Sequence, residues 1–206
     1  MKTKVKIYDF DKTLAKGDSI FYLLKFGINK GLYSRSNVLG HLIKAGFKFL
    51  KHRSMMDFKN ECFKLITLFD ERQLNDFVDE HLEERGFKNI IKDINDDDNA
   101  VTILCSASPE RYIKLISDRL GFDYYLGTRD DGEKLIGVNN AKEEKLRRIN
   151  ELCDKENIMI DYESSIAFTD SYKNDKWMAS PCKTKYIVNS KKSYDGYINI
   201  EGKNDL

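Results

Sequence analysis

Asp9 and Asp11 stand one residue apart in the run Asp9-Phe10-Asp11-Lys12-Thr13, directly after the apolar Val5, Ile7 and Tyr8. A strand that delivers two carboxylates into a turn makes a compact negative patch. Such a patch suits a hard divalent cation and offers an oxygen nucleophile beside an acid/base partner. Asp and Thr also favour plain surface turns, so the pentapeptide gains meaning from its company. Ser106-Ala107-Ser108-Pro109 offers hydroxyls and backbone N–H groups where a helical pattern starts, and Lys142 and Lys145 open another helical stretch. Thr169-Asp170-Ser171 and Asn174-Asp175 add carboxylate and amide oxygens. Together these supply a metal site, oxyanion donors, a countercharge and a nucleophile, the parts that phosphoryl transfer needs.

The elements that must position these residues are short apolar runs at 4–8, 100–105, 165–168 and 185–188, which read as buried strands of a parallel sheet. Helical patterns over 109–120, 142–156 and 174–178 alternate with them. That alternation predicts an α/β, doubly wound (Rossmann-like) sheet, whose ligands collect at the carboxyl ends of the strands. Between the first two strands lies a stretch that is helical nearly throughout. Ile20, Leu23, Leu24 and Phe26 mark one amphipathic helix with Asp18-Ser19 at its N-cap, and Val38, Leu42, Ile43, Phe47 and Leu50 mark a second. Phe58, Cys62, Leu65 and Ile66 give a third, and Leu74, Phe77, Val78 and Leu82 a fourth, ended by Gly86. A crossover needs only about a dozen residues. The expected organisation is therefore an α/β core of residues 1–16 and 88–206 with an all-helical cap of residues 17–87. Residues 124–127 and 134–138, flanking Arg129-Asp130-Asp131-Gly132, read as a hairpin. Asp96-Asp97-Asp98 reads as a solvated loop, and residues 202–206 as a frayed end.

Composition narrows the function classes. A formal net charge of +1 over 206 residues gives no reason to expect nucleic acid as a partner. Cys62, Cys105, Cys153 and Cys182 form no Cys-x-x-Cys pair, and His41, His52 and His81 form no metal-ligand spacing. Reduced thiols, no leader-like start and no apolar stretch long enough for a bilayer suggest a cytoplasmic protein without stable membrane insertion. Residues 44–53 are locally basic and include Phe47 and Phe49. A solvated helix face accounts for them, and a membrane-surface or phosphate-gathering role is the alternative.

In order and spacing, the segments around Asp9, Ser106, Lys145 and Asp170, with the tail Tyr186-Ile187-Val188-Asn189, resemble the haloacid dehalogenase superfamily. The likeness extends over nearly the whole chain and is strongest to the phosphoserine phosphatase-like subgroup, which has a helical cap inserted after the first strand. The resemblance implies that Asp9 is a nucleophile forming an aspartyl-phosphate and that Asp11 protonates the leaving oxygen and then activates water. Thr13, Ser106 and the Ala107 N–H would hold the phosphoryl group, with Lys145 neutralising charge. Mg²⁺ would bind Asp9, the backbone carbonyl of Asp11 and Asp170, supported by Asn174 or Asp175. Asp11 itself favours P–O over carbon–halogen chemistry. The implied activity is Mg²⁺-dependent hydrolysis of a small phosphorylated metabolite. The alternatives are a phosphotransferase or mutase, or a phosphatase of lipid phosphates at a membrane surface.

Two departures bear on the substrate. Ala107-Ser108-Pro109 stands where phosphoserine phosphatases carry two glycines, and the third cap helix offers Lys64-Leu65 where they carry an arginine. Without that planar fork, bidentate recognition of a carboxylate is lost, which argues against phosphoserine. Asp18, Phe21, Phe58 and Lys64 are the cap candidates for contacting the substrate.

Overall fold

The computed structural model describes residues 2–205. Lys2–Thr3 (β1) pairs in parallel with Met159–Ile160 (β5). The main sheet has six parallel strands. These are Val5–Tyr8 (β2), Val101–Pro109 (β3), Tyr124–Thr128 (β4), Ile166–Thr169 (β6), Thr184–Val188 (β7) and Ile198–Ile200 (β8). Their order is β4-β3-β2-β6-β7-β8. The chain winds outward from β2 first one way and then the other, so the switch point of a doubly wound sheet falls at the end of β2, where Asp9 begins.

Alternation along β2 explains its burial on both faces. Val5 and Ile7 join Ile103, Cys105 and Ala167 in an apolar layer with Ile149 and Cys153. Both of those belong to Glu143–Lys155 (α7). Tyr8 faces the other way, stacked on Phe168 at 4.5 Å, which in turn stacks on Tyr186 at 4.9 Å. That layer continues into Tyr112, Ile113 and Ile116, which lie on Glu110–Leu120 (α6).

Four long helices fill the chain between β2 and β3: Ser19–Asn29 (α1), Arg35–His52 (α2), Met55–Ile66 (α3) and Glu71–Arg85 (α4). Reciprocal capping boxes, Ser34 with Asn37 and Asp70 with Gln73, start α2 and α4, and Ser54 caps α3. The chain leaves the sheet and rejoins it side by side: Lys16 N–H donates to Arg85 O at 2.9 Å and Phe87 N–H to Leu14 O at 2.8 Å. One apolar cluster runs from Leu23, Phe26, Phe63, Ile66 and Phe77 of these helices into Phe10, Leu14 and Tyr112 beneath. Lys88–Ile91 (α5) and Tyr172–Asp175 (α8) are single turns. Among the described residues no helix is long and apolar enough to cross a membrane.

Three expectations give way to the structure. The hairpin is absent: Tyr124–Thr128 joins the main sheet in parallel with β3, and residues 134–138 contribute one antiparallel bridge, Asp130 to Leu135. The Asp130 and Asp131 side chains accept from the N–H groups of Gly132, Glu133 and Lys134, closing a side-chain-capped loop instead of a ladder. The tail is pinned, with Gly202 N–H on Asn189 Oδ1 at 3.0 Å, Lys203 N–H on Asn89 Oδ1 at 2.6 Å and Asn204 Nδ2 on Glu84 O at 3.1 Å. Leu206 lies outside the described residues. Asp96 and Asp97 are ion-pair partners of Lys6 and Lys4.

Candidate active site

Past β2 the chain makes a tight loop. Asp9 N–H still donates to Phe168 O at 3.0 Å, and the Phe10 carbonyl then accepts from the Thr13 and Leu14 N–H groups at 3.1 and 2.8 Å. Lys12 takes a left-handed φ of 63° to close it. The loop turns both carboxylates into one site while leaving them different surroundings.

Asp9 is buried. Lys145 donates to its Oδ1 at 2.7 Å and Thr13 to its Oδ2 at 3.0 Å. Lys145, on the first turn of α7, is buried as well and also reaches Asp175 Oδ1 at 2.7 Å. Asp175 Oδ2 accepts from Thr169 Oγ1 at 2.6 Å. Asp9, Asp170 and Asp175 each offer a carboxylate oxygen within 4.8 Å of the others.

Two carboxylates thus share one ammonium with a third carboxylate close by, and the energetics follow. Burial pushes the Asp9 carboxyl up to about 8, against the pull of Lys145 and with help from Asp175 and Asp170. Burial and then Asp175 push Asp170 up to about 6. Burial works against the charge on Lys145, yet Asp175 and Asp9 hold it well above the usual lysine range. Excess negative charge, borne entirely on oxygen donors, fits a hard divalent cation such as Mg²⁺. Asp170 accepts no side-chain hydrogen bond among the described residues and has the freest oxygens.

Asp11 is held differently. Its Oδ1 accepts from the Ser19 N–H at 2.6 Å and its Oδ2 from Ser108 Oγ at 2.6 Å. Burial raises its carboxyl, with the Ser108 and Ser19 bonds working the other way. Asp11 thereby takes up a donor at the first turn of α1. Asp18 stands at the N-cap without a side-chain cap bond and pairs instead with Lys12 at 2.7 Å. Ser19 Oγ lies 3.0 Å from Tyr112 Oη and 3.3 Å from Ser108 Oγ, tying the first helix to the sheet beneath.

The Ser106 segment is the end of a strand rather than the start of a helix. Register between β3 and β4 slips between Cys105 and Pro109, a bulge of the sort that re-aims backbone beside a site. Ser106 is buried and its Oγ accepts from Ser108 N–H at 3.1 Å. Asn140 Nδ2 donates to Ser106 O at 2.9 Å, and Thr128 Oγ1 to Ala107 O at 2.7 Å. Gly127 has to be small here: a Cβ on it would stand 2.7 Å from Glu110 Cα and 3.1 Å from Ser108 O.

The residues singled out in the sequence divide accordingly. Asp9, Asp11, Thr13, Ser106, Ala107, Lys145, Asp170 and Asp175 come together. Asn174 is exposed, whereas Asp175 is buried in the cluster; Lys142 is exposed at the start of α7, whereas Lys145 reaches in. Among the cap candidates, Phe21 is about half exposed, Phe58 packs against the apolar cluster, and Lys64 bonds Glu61 at 2.8 Å.

Sequence reasoning passed over Lys59. From α3 it donates to Ala107 O at 2.6 Å and to Asn139 Oδ1 at 2.7 Å. Burial pushes its ammonium down to about 8, Asp11 working against that shift and Lys145 adding to it. The available signal was its place three residues before Cys62 and seven before Ile66, on the buried stripe of the helix.

A family model for haloacid dehalogenase-like hydrolases matches residues 7–180. Among solved structures, a protein of unknown function from Bordetella pertussis Tohama I aligns over 93% of this chain and 92% of its own, with 14% identity and a TM-score of 0.76. A phosphoserine phosphatase solved as a phospho-aspartyl intermediate analogue aligns over 93% and 88%, with 19% identity and a TM-score of 0.51. A phosphoserine phosphohydrolase-like protein from Francisella tularensis subsp. tularensis SCHU S4 aligns over 90% and 87%, with 18% identity and a TM-score of 0.55. At these identities the likeness speaks for the fold. No match was found among curated proteins.

Proposed function

Starting from the fact that this chain belongs to the haloacid dehalogenase-like hydrolase family, we propose that it hydrolyses a phosphate monoester of a small metabolite through an aspartyl-phosphate on Asp9. The observation that supports this most is the contrast between its two loop carboxylates. Asp9 sits against Lys145 in a carboxylate cluster, and Asp11, two residues on, is held by a hydroxyl and a helix N–H.

In the first half-reaction an Asp9 oxygen attacks phosphorus, the bond from phosphorus to the ester oxygen breaks, and Asp11 gives that oxygen its proton. In the second, Asp11 takes a proton from water as the water attacks the phosphoryl group, and the Asp9 carboxylate leaves. A carboxyl raised by burial suits a group that must be protonated in one half-reaction and a base in the next. Ser106, the Ala107 N–H and Lys145 receive the charge on the phosphoryl oxygens, and Thr13 fixes the rotamer of Asp9. Mg²⁺ would be held by Asp9, Asp170 and Asp175 with the Asp11 carbonyl, and would supply the positive charge that lets an anionic carboxylate approach an anionic phosphate. At an effective dielectric near 20, two like charges about 4 Å apart repel by roughly 4 kcal/mol. Lys59, reaching from α3 to the Ala107 carbonyl, brings a further cation beside the segment that would hold the phosphoryl group.

The test is hydrolysis of para-nitrophenyl phosphate by the purified protein with and without Mg²⁺. Activity should require the metal, and Asp9→Asn should abolish both turnover and the hydroxylamine-labile phosphoenzyme. Full activity in Asp9→Asn would refute the assignment.

A further inference from the structure

Helix α2 presents an apolar row to solvent. Leu39, Ile43, Phe47 and Leu50 are 59%, 51%, 68% and 62% exposed. At about 100° per residue these four fall within an arc of about 80°. The packed face of the same helix lies elsewhere on its circumference, through Val38, Leu42, Ala45 and Phe49. Folding therefore already satisfies α2 on one side, and the outward row is surplus to it. Single exposed apolar side chains are ordinary, whereas a contiguous row of four large ones marks a contact surface.

Charge says what kind of surface. From Arg35 to His52 the helix has no acidic residue. Lys44 and Lys51 are exposed and flank the apolar arc on one side, Arg35 flanks it on the other, and Arg53 follows at the C-cap. Lys48 does not contribute, because its ammonium is turned inward onto the buried Glu61. An apolar stripe bordered by lysine and arginine is the pattern of a helix lying in the interface of an anionic bilayer. A second copy of this chain is a poorer occupant, since an isologous contact through this face would set these cations against their own copies.

We propose that the α2 face docks this protein on anionic lipid surfaces, with Leu39, Ile43, Phe47 and Leu50 in the acyl boundary and Lys44, Lys51 and Arg53 at the headgroups. The docking does not rest on the phosphatase reading, because it uses no residue of the site around Asp9.

The experiment is co-sedimentation of the full chain with extruded vesicles at low salt, phosphatidylcholine alone against phosphatidylcholine with phosphatidylserine. Binding is expected only to the anionic vesicles and should be reversed by salt. Phe47→Ser with Leu50→Ser, and separately Lys44→Glu with Lys51→Glu, should each weaken it by roughly tenfold or more. The charge pair changes no buried residue and so covers the case in which the apolar pair disturbs folding. No wild-type binding to anionic vesicles, or equal binding by the charge-reversed protein, would overturn the proposal. So would light scattering showing a dimer that Phe47→Ser with Leu50→Ser turns into a monomer, which would assign the face to self-association.

Discussion

Replacing Lys59 by methionine keeps the length of the side chain and removes its charge, and the consequences can be worked through. The unfolded lysine holds its proton up to its ordinary 10.5, whereas the folded one holds it only to about 8. Between those values the unfolded chain carries more protons, so stability rises with pH. Below about 8 the full penalty is present, and at pH 7 it amounts to roughly 3 kcal/mol. That figure is already net of the two hydrogen bonds from the ammonium, to Ala107 O and Asn139 Oδ1. Thr128 Oγ1 still reaches both oxygens, so at pH 7 Lys59→Met should be more stable than the wild type by up to about 3 kcal/mol. The two also differ in slope. From pH 7 to 9.5 the wild type should gain about 2 kcal/mol relative to the variant. Urea unfolding of both proteins across that range measures this directly, and comparing the pair cancels the titrating groups that do not feel the Lys59 charge. Parallel curves would refute the reasoning. Turnover of para-nitrophenyl phosphate should fall roughly tenfold in the same variant, because the cation beside the Ser106-Ala107 segment is gone.

Burial, with Arg85 adding, pushes His81 down to about 4. The unfolded chain therefore takes up the proton first as pH falls from 7 to 5, costing the wild type about 2 kcal/mol that His81→Phe should not lose, as read from unfolding curves at the two pH values. Gly127→Ala should cost roughly 1–3 kcal/mol in chemical unfolding and lower kcat, since its methyl meets the Glu110 and Ser108 backbone. Asp170→Asn and Asp175→Asn should each weaken Mg²⁺ activation by roughly tenfold or more, and Asn174→Ala should change it by less than about twofold, measured by metal titration of activity.

Four strands of the main sheet, β2, β3, β6 and β7, were legible in the sequence because buried parallel strands are continuous apolar runs, whereas the short, exposed edge strand Ile198–Ile200 was not. The four long helices were legible because their apolar positions recur at helical spacing. Asp9, Asp11, Ser106, Lys145, Asp170 and Asp175 could be collected because each follows a strand or opens a helix, and strand ends converge in a doubly wound sheet. What escaped were contacts between residues far apart in sequence. Lys59 meets Ala107 and Asn139 across separations of 48 and 80 residues, which no local pattern reports. The pinned tail depends likewise on Asn89 and Glu84, more than a hundred residues away. The supposed hairpin failed for a different reason. Tyr124–Thr128 has the apolar character of any strand, and its partner was decided by the return of α6 onto the sheet rather than by the turn that follows it.

The bond from Ser19 N–H to Asp11 Oδ1 gives one carboxylate two duties. As an anion it fastens the positive end of α1; once protonated it fastens that end less firmly. In the proposed cycle, therefore, every proton surrendered and regained at Asp11 would also tighten and slacken the helix that roofs it. Chemistry and posture would keep the same clock.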